Sequence, residues 1–562
     1  MNQRLFALVV FLVFISACGR GPREDSGQEP LSKHPFLWEN ATIYFLLTDR
    51  FYNGDPGNDY SLGRLSDGDT LRYFMGGDLK GITQKIEEGY FDDLGVNAIW
   101  MTPIFENIRG FTDEGTGKTY AYHGYWMRDW TRLDPNFGTA DDLGEMLDAA
   151  HSRGIRILLD AVANHTGPVT DLDPQWPDEW VRTGPVCTYV DFASTVECTL
   201  VENLPDFRTD LMDPVDLPEF LLRKWEEEGR LEEELAELDQ FFARTGYPRA
   251  PRYYLIKWLC DWVREYGIDG FRVDTAKHTE ADIWDELAKE AQAALREWKD
   301  KNPARKPDDL DFWMVGEVYG YNIGSGRNYD YGDSQVDFYA NGFDALINFQ
   351  FKYDAKGSPE ALFRSYSEAL NAGELNEFTV LNYLSSHDDA NPFDAFRQQP
   401  LETGTLLLLS PGAAQIYYGD ETARILHVPG AKGDAHLRSF MNWEDLADNV
   451  TRDGYSIAEV HQHWQKLGAF RKKHISVGAG VHSMLQESPY VFTRRYESED
   501  LSDVVLIGLG LPAGEKTLPA GGVFLHGTNL LDYYSGQKVQ VTGEEISLDS
   551  PFSIALLGVE RK

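Results

Sequence analysis

Carboxylate side chains stand at the ends of four predicted β-strands, where they could serve nucleophilic or acid–base chemistry. Three strands end at Asp160, Asp274 and Glu317, and Asp388 follows a fourth. Because alternate residues of a strand point to the same side, Arg272 shares a face with Asp274, where it would keep that carboxylate ionised as a nucleophile requires. A single carboxylate of this kind could belong to a structural ion pair, but four at neighbouring strand ends indicate a common site.

Two close carboxylates in one pocket suit glycoside cleavage, in which one acts as nucleophile or base and the other donates a proton. A metal cluster is the competing interpretation. The candidate histidines His165, His278 and His387 lie in separate loops without the spacing of zinc ligands, which disfavours it. The sequence has no GxGxxG motif and no P-loop, so nucleotide chemistry is not supported.

Eight short apolar or β-branched runs predict the strands that position these groups. They cover residues 41–47, 96–101, 155–161, 268–273, 312–316, 345–351, 378–384 and 414–418. Amphipathic stretches that predict helices lie between them, including residues 139–153, 251–266, 279–297 and 358–371, and another follows at 456–474. Eight strands with intervening helices predict an α/β protein whose parallel sheet closes into a (β/α)8 TIM barrel.

The spacing of these elements predicts two units besides the barrel. The gap after the third strand is too long for a simple loop, so residues 162–250 are expected to form an inserted subdomain. Within it, residues 219–243 form an acidic, helix-like run that we interpret as a solvated helical face. The barrel would comprise residues 36–161 and 251–474, and short strands with Gly and Pro turns over 475–562 predict a C-terminal antiparallel β domain.

The charge of the chain limits what it can bind. The sequence has 52 Lys and Arg against 91 Asp and Glu, a formal net charge of −39. A field this negative repels phosphate backbones, so we expect no nucleic-acid partner, whereas a neutral substrate is compatible with it.

The first residues are typical of an export signal. After Arg4, residues 5–15 are apolar but too short to span a bilayer, which predicts a signal peptide over residues 1–17. Ile15-Ser16-Ala17-Cys18 resembles a bacterial lipobox, in which Cys18 is lipidated; a plain signal peptide with a chance cysteine is the alternative. Residues 18–35 would form a tether. We expect an exported, lipid-anchored, monomeric protein of a bacterial cell envelope, on its periplasmic or its outer side.

Three further cysteines have two different expected roles. Cys187 and Cys198 are close in sequence in a loop-rich region of an exported chain, which makes a disulfide between them plausible. Cys260 lies between Leu259 and Asp261 in a helical pattern and is interpreted as a buried core thiol.

The order of the motifs resembles the α-amylase family of glycoside hydrolases, over roughly residues 38–475. Four segments resemble its main signatures: Asp160-Ala161-Val162-Ala163-Asn164-His165, residues 270–278, Gly316-Glu317-Val318 and His387-Asp388. Leu204-Pro205-Asp206 resembles the extra signature of the inserted domain, and residues 122–126 and 417–421 match two further patterns. Bacterial periplasmic α-amylases are the most similar members. Ser386 departs from the pattern, because much of the family has Asn there.

The resemblance implies a role for each candidate residue. Asp274 would be the nucleophile, Glu317 the acid/base, and Asp388 the group that grips sugar hydroxyls in the transition state, with retention of configuration. Further residues would shape the substrate site: His123, Tyr125, His165, Arg272, Lys277, His278 and His387. Tyr125 would stack on the bound sugar ring, with an ordinary core tyrosine as the alternative.

The resemblance also implies calcium. Asn164, Asp206 and the backbone carbonyl of His278 match a family site that joins the barrel to the inserted domain, and oxygen ligands from loops suit this cation. A second candidate set resembles a further site of cyclodextrin-forming relatives and consists of Asn53, Asp55, Asn58, Asp59, Gly76 and Asp78. An Asn/Asp/Gly turn without an ion is the alternative for that second set.

The expected activity is endo-acting hydrolysis of α-1,4-glucan bonds in starch or maltodextrins. The nearest alternative is an α-glucanotransferase or cyclodextrin-type enzyme, because the same intermediate can pass to water or to a sugar. A non-catalytic glycan-binding lipoprotein is an alternative of another class; such a protein would usually have lost Asp274, Glu317 or Asp388. The C-terminal domain is expected to cover the barrel rather than to bind glucan.

Overall fold

Eight parallel strands close into a barrel in the structure, which is a computed structural model that describes residues 36–113 and 115–560. The predicted signal peptide, Cys18 and the predicted tether lie outside the described residues. The strands are β1 (Thr42–Leu46), β2 (Ala98–Met101), β3 (Arg156–Ala161), β4 (Gly270–Val273), β5 (Trp313–Gly316), β6 (Ala345–Asn348), β7 (Thr379–Asn382) and β8 (Ala413–Tyr417). Each pairs with its neighbours in the sequence, and β8 pairs with β1. Every predicted strand overlaps an observed one, so the predicted TIM barrel is confirmed.

The barrel strands are buried on both faces, which explains their continuous apolar sequences. All residues of β1, β3 and β4 are buried, because helices cover the outside and side chains fill the inside. Gly270 begins β4 where a Cβ atom would lie 2.3 Å from the carbonyl oxygen of Trp313 in β5. A larger residue would push these two strands apart, and with them the side chains that follow.

Helices surround the barrel and form much of the insert. Among the described residues, the helices longer than two turns are α1 (Leu79–Glu87), α2 (Ala140–Ser152), α3 (Glu219–Glu227), α4 (Leu231–Thr245), α5 (Pro251–Tyr266), α6 (Asp282–Lys301), α7 (Pro359–Ala372), α8 (Pro400–Leu408) and α9 (Ile457–Lys473). The acidic run at 219–243 contains two helices rather than one. Gly229 separates α3 from α4 with φ of +75°, a left-handed conformation that glycine adopts without steric cost.

The predicted C-terminal β domain is confirmed as an eight-stranded antiparallel sheet. Its strands are β9 (Val481–Gln486), β10 (Tyr490–Glu497), β11 (Ser502–Leu509), β12 (Gly514–Pro519), β13 (Asn529–Asp532), β14 (Lys538–Thr542), β15 (Glu545–Ser550) and β16 (Ile554–Gly558), in the order β9-β10-β11-β16-β13-β14-β15-β12. It packs on the barrel through α7, where His482 Nε2 lies 2.8 Å from Glu360 Oε2. Among the described residues, no helix is both long and apolar enough to cross a membrane. The exact domain boundaries stay predictions.

Candidate active site

A single buried arginine connects three carboxylates at the C-terminal ends of β3, β4 and β5. Arg272 is in register with Asp160 in β3 and with Val315 in β5. Its Nη1 lies 2.9 Å from Asp160 Oδ1 and 2.6 Å from Asp274 Oδ1, and its Nη2 lies 3.0 Å from Glu317 Oε1. Arg272 is 1% exposed. Burying this guanidinium is tolerable because each of its carboxylate partners supplies charge and hydrogen-bond acceptors.

The environment of Glu317 favours its protonated form. Glu317 Oε2 accepts a hydrogen bond of 2.8 Å from the backbone N–H of Thr275. Thr275 has φ of +48°, an uncommon conformation for a β-branched residue, and it turns the chain directly after Asp274. Burial raises the pKa of Glu317 to about 8; Arg272 opposes this rise, and the nearby carboxylates Asp274 and Asp388 add to it. A carboxyl group that keeps its proton near neutral pH can serve as a general acid.

The environment of Asp388 has the opposite effect. His387 Nε2 lies 2.8 Å from Asp388 Oδ2, and Arg438 Nη2 contacts Oδ1 of the same carboxylate. Burial alone would raise the pKa of Asp388, but His387 and Arg438 outweigh burial and hold it well below the usual value. Glu317 and Asp388 therefore have pKa values shifted in opposite directions within one site, a pattern typical of acid/base assignments.

Aromatic and imidazole rings form the wall next to these charges. Tyr125 donates a 2.7 Å hydrogen bond to Asp160 Oδ2, and its ring stacks on His387 at a centroid distance of 5.3 Å. His165 Nε2 lies 3.2 Å from the carbonyl oxygen of Tyr125. Burial lowers the pKa of both His123 and His165, so these rings are neutral hydrogen-bonding groups near pH 7.

An open cleft of about 790 Å³ lies over these groups, a size that suits several sugar units. Five predicted residues line it: His123, Tyr125, His165, Asp274 and Asp388. Three residues that the sequence analysis missed also line it, namely Arg72, Asp434 and Arg438. Asp434 joins the other two, at 3.3 Å from Arg72 and 2.5 Å from Arg438. Asp434 lies in a short 3-10 helix (Gly433–Leu437) and Arg438 directly follows it, whereas Arg72 comes from a distant loop. No motif in the sequence connects the two segments.

Comparison with known proteins decides the family. The model of the alpha-amylase catalytic domain matches residues 45–480. The chain belongs to the α-amylase family. The periplasmic alpha-amylase of Escherichia coli (strain K12) is 39% identical over 520 residues, which cover 82% of this chain and 71% of that protein. The resemblance predicted from the motifs is thereby confirmed, and the protein is a glycoside hydrolase of the α-amylase type.

Other relatives of the chain include transferases. The cyclomaltodextrin glucanotransferase of Geobacillus stearothermophilus is 40% identical over 506 residues, which cover 86% of this chain and 63% of that protein. Among solved structures, an alpha-amylase from Anoxybacillus aligns with a TM-score of 0.63 at 24% identity, over 94% of this chain and 100% of that chain. At that level of identity the alignment supports the fold.

Four predicted substrate residues of this α-amylase family member, Arg272, Lys277, His278 and His387, are not among those lining the open cleft. Lys277 Nζ donates to the carbonyl oxygen of Tyr319 at 2.9 Å and to the hydroxyl of Tyr329 at 3.0 Å. His278 Nδ1 lies 2.9 Å from the carbonyl oxygen of Thr195, and burial lowers the pKa of His278 to about 4. Thr195 belongs to a loop that a disulfide between Cys187 and Cys198 closes. Cys260 is a buried free thiol, in agreement with its sequence interpretation.

The residues predicted for the first calcium site fit a cation. Asp206 is 2% exposed, and within the described chain neither of its carboxylate oxygens has a hydrogen-bond partner. Burial raises the pKa of Asp206 well above the usual value, even though Arg182 opposes the rise. Asn164 is hydrogen-bonded to the residue that follows Asp206: its backbone carbonyl oxygen accepts a hydrogen bond of 2.7 Å from the backbone N–H of Phe207. An unpaired buried carboxylate is costly, and a hard cation with oxygen ligands would relieve that cost.

The second predicted calcium set fits in part. The side-chain oxygens of Asn53 and Asn58 are buried without hydrogen-bond partners among the described residues. A Cβ atom on Gly76 would lie 2.5 Å from Asp59 Oδ1, so glycine leaves room at the centre of this set. The other two members of the set, Asp78 and Asp55, have hydrogen-bond or ion-pair partners elsewhere. Asp78 caps α1 by accepting from the N–H of Gly81 at 2.7 Å, and Asp55 pairs with Lys80 at 2.7 Å.

Acidic and histidine side chains alone do not mark either set as a metal site. In residues 36–113 and 115–560, no group of three or more His, Cys, Asp or Glu side chains is arranged to hold an ion. Both predicted sets depend on Asn side chains or on backbone carbonyls in addition to carboxylates, and these are ordinary calcium ligands.

Proposed function

We propose that this protein hydrolyses internal α-1,4-glucosidic bonds of starch or maltodextrins with retention of configuration. The observation that carries the proposal is the shared contact of Arg272 with Asp274 and Glu317, since one guanidinium lies against the proposed nucleophile and against a carboxyl group whose pKa is about 8. The relative described as a periplasmic alpha-amylase supports the substrate class.

The first chemical step needs an ionised nucleophile and a protonated acid. Asp274 attacks the anomeric carbon while Glu317 donates its proton to the glycosidic oxygen, so the leaving sugar departs as a neutral alcohol. Asp388 stays ionised because of Arg438 and His387, and it holds sugar hydroxyls while positive charge develops on the ring. The product of this step is a glycosyl ester on Asp274.

The second step releases the sugar. Glu317 is now a carboxylate and takes a proton from an incoming water, whose oxygen attacks the anomeric carbon and displaces Asp274. Tyr125 offers a ring face to the sugar bound at this position, and His123, His165, His387 and Arg272 fix the surrounding polar groups. Lys277 and His278 belong to the leaving-group side in this proposal.

A glucanotransferase or cyclodextrin-type activity is the second candidate. It uses the same glycosyl ester but passes it to a sugar hydroxyl instead of water. The relative from Geobacillus stearothermophilus, described as a cyclomaltodextrin glucanotransferase, favours this candidate. A non-catalytic glycan-binding role is less consistent with the sequence, because Asp274, Glu317 and Asp388 are all present.

Calcium belongs to the proposal as a structural cofactor. Asn164, Asp206 and the backbone carbonyl of His278 would hold one ion, and Asn53, Asn58, Asp59 and Gly76 a second, with Asp55 and Asp78 as further candidates. A bound ion supplies positive charge that ties loop oxygens together. At the first site it would hold the insert (residues 162–250) against the barrel (residues 36–161 and 251–474).

Export and anchoring at Cys18 are also proposals. The relative from Escherichia coli is described as periplasmic, which supports export of this chain. Lipidated Cys18 would hold a monomeric enzyme at the cell envelope through residues 18–35. Mass spectrometry of the N-terminal peptide and detergent partitioning of wild type and Cys18→Ala test this directly: an unmodified, water-soluble wild type would contradict anchoring.

Product analysis on soluble starch and on a defined maltodextrin tests the activity. Early mid-sized α-anomeric oligosaccharides are expected from an endo-acting retaining hydrolase. Glucose alone, or longer or cyclic products, would contradict it and favour an exo-acting enzyme or a transferase. Glu317→Gln should abolish turnover while maltodextrin binding persists; full activity in that variant would overturn the assigned mechanism.

A further inference from the structure

A small cavity of about 30 Å³ lies beside the acid/base Glu317, and Asp388 lines both this cavity and the open cleft. Its walls include Arg272 and Trp100 from the barrel interior, and Asp388 and Asp389 from the loop after β7. A space of this size holds about two water molecules, but no sugar ring. A molecule in it would lie next to Glu317 and Asp388.

Asp389 brings a hydrogen-bond acceptor without a partner to this cavity. The residue is 5% exposed. Its Oδ1 accepts from the N–H of Asn391 at 2.9 Å and is paired with Lys352 Nζ. Its Oδ2 is buried and has no hydrogen-bond partner in the described part of the chain. A buried carboxylate oxygen needs a donor, and water is a donor that a cavity of this size admits.

Two of the three carboxylates that line this cavity, Asp389 and Glu317, act on the same neighbour. Tyr383 lines the cavity, and its hydroxyl group lies in the electrostatic field of both Asp389 and Glu317. Burial raises the pKa of Tyr383, and these two carboxylates add to the rise. Asp389 and Glu317 therefore line a common space.

We propose that Asp389, held in place by Lys352, positions the water that hydrolyses the glycosyl ester, and thereby favours hydrolysis over transfer. The inference rests on the proposed retaining mechanism. In the step, the water oxygen bonds to the anomeric carbon, the bond from that carbon to Asp274 breaks with its electrons returning to Asp274, and one water proton passes to Glu317. The second water hydrogen is donated in a hydrogen bond to Asp389 Oδ2, which takes up no proton in the step.

The variant Asp389→Asn tests the inference in the full-length protein. The amide keeps the size of the side chain but removes the charge that binds the water. With maltopentaose as donor and acceptor, the ratio of longer transfer products to hydrolysis products should rise about tenfold, the effect of one lost hydrogen bond to a charged group. kcat/KM should change by less than about twofold, because it reports formation of the ester rather than its hydrolysis.

Two further variants keep the test decisive. Ser386→Asn lengthens another side chain that lines the cavity, so it should narrow the water space and raise the transfer ratio in the same direction. Asp354→Asn is the matched control: it makes the same charge change on the short helix Phe351–Asp354 that carries Lys352, but Asp354 bonds Gln350 at 2.9 Å and does not line the cavity. It should keep the wild-type ratio.

The outcomes separate this inference from the proposed function. A folded Asp389→Asn protein with the wild-type product ratio overturns the inference, as does a parallel fall of kcat and kcat/KM without a change in ratio, which indicates a structural role. If Asp389→Asn does not fold, an unchanged ratio in Ser386→Asn overturns it. A wild type that turns over no α-glucan ends the proposed function itself.

Discussion

Arg272 Nη2 lies 3.0 Å from Glu317 Oε1, so the guanidinium that contacts Asp274, the proposed nucleophile, also contacts the proposed general acid. A cation at that distance favours the ionised carboxylate, yet the pKa of Glu317 is raised to about 8. Burial, together with the carboxylates of Asp274 and Asp388, outweighs the arginine. A carboxyl group with a raised pKa can therefore lie against the same guanidinium that contacts Asp160 and Asp274.

On the alkaline side of the pH profile, the fall of kcat/KM is expected to reflect the pKa of Glu317. Because the general acid must be protonated, kcat/KM should fall as pH rises through about 8, the pKa of this residue. The measurement is the pH profile of kcat/KM on an unmodified maltooligosaccharide, whose leaving group is a sugar hydroxyl that needs the proton. An alkaline limb at the ordinary pKa of a glutamate would contradict the assignment, and a substrate whose leaving group needs no proton should lose the limb.

Arg438 is expected to determine the pH at which kcat/KM falls on the acidic side of its pH profile. Its guanidinium holds the pKa of Asp388 low, so Arg438→Gln should raise that pKa and move the acid limb to higher pH. kcat/KM at neutral pH should fall about a hundredfold, which is comparable to the loss of one preorganised donor. The matched control is Arg305→Gln, which breaks an exposed pair with Asp148 at 2.7 Å. Equal effects in both variants would refute a role for Arg438 at the site.

Calcium is expected to stabilise the protein through Asp206. Without a cation the pKa of Asp206 is raised, and such a group stabilises the fold only while protonated, so stability of the calcium-free protein should decline as pH rises above about 4. At neutral pH, added calcium should raise the wild-type Tm by about 5 °C or more.

The variant Asp206→Asn tests that prediction by differential scanning calorimetry with calcium and with chelator. Its Tm should no longer respond to calcium. Asp210→Asn, a change on an exposed residue that pairs with Arg182 at 2.6 Å, should keep the response. If Asp206→Asn gained as much Tm from calcium as the wild type, the ion would have to bind elsewhere.

The disulfide between Cys187 and Cys198 is expected to stabilise the loop that contacts His278. The two cysteines are 11 residues apart, and closing a loop of this size contributes about 2–3 kcal/mol to the free energy of unfolding. Cys187→Ser/Cys198→Ser should lose this amount in urea unfolding, and a thiol reductant should lower wild-type stability equally. A reductant effect that persists in the double variant would contradict this explanation.

The sequence was sufficient for the barrel and for the residues at its strand ends. Buried parallel strands have continuous apolar sequences, so all eight could be located from local pattern. The same strands end at Asp160, Asp274 and Glu317, and closure of the barrel brings such ends together. One break was missed in the run at 219–243, because both helices share an acidic face and Gly229 alone marks the turn.

Other features depend on the tertiary structure, because they arise from groups that are distant in sequence. Arg438 reaches Asp388 across 50 residues, and Lys352 reaches Asp389 across 37. Neither contact follows from a local pattern. The protonation states also depend on the tertiary structure. Burial of Glu317 raises its pKa, whereas Arg438 and His387 lower the pKa of Asp388. The sequence by itself determined which carboxylates are present and at which strand ends, and the packing around them decided which one keeps a proton.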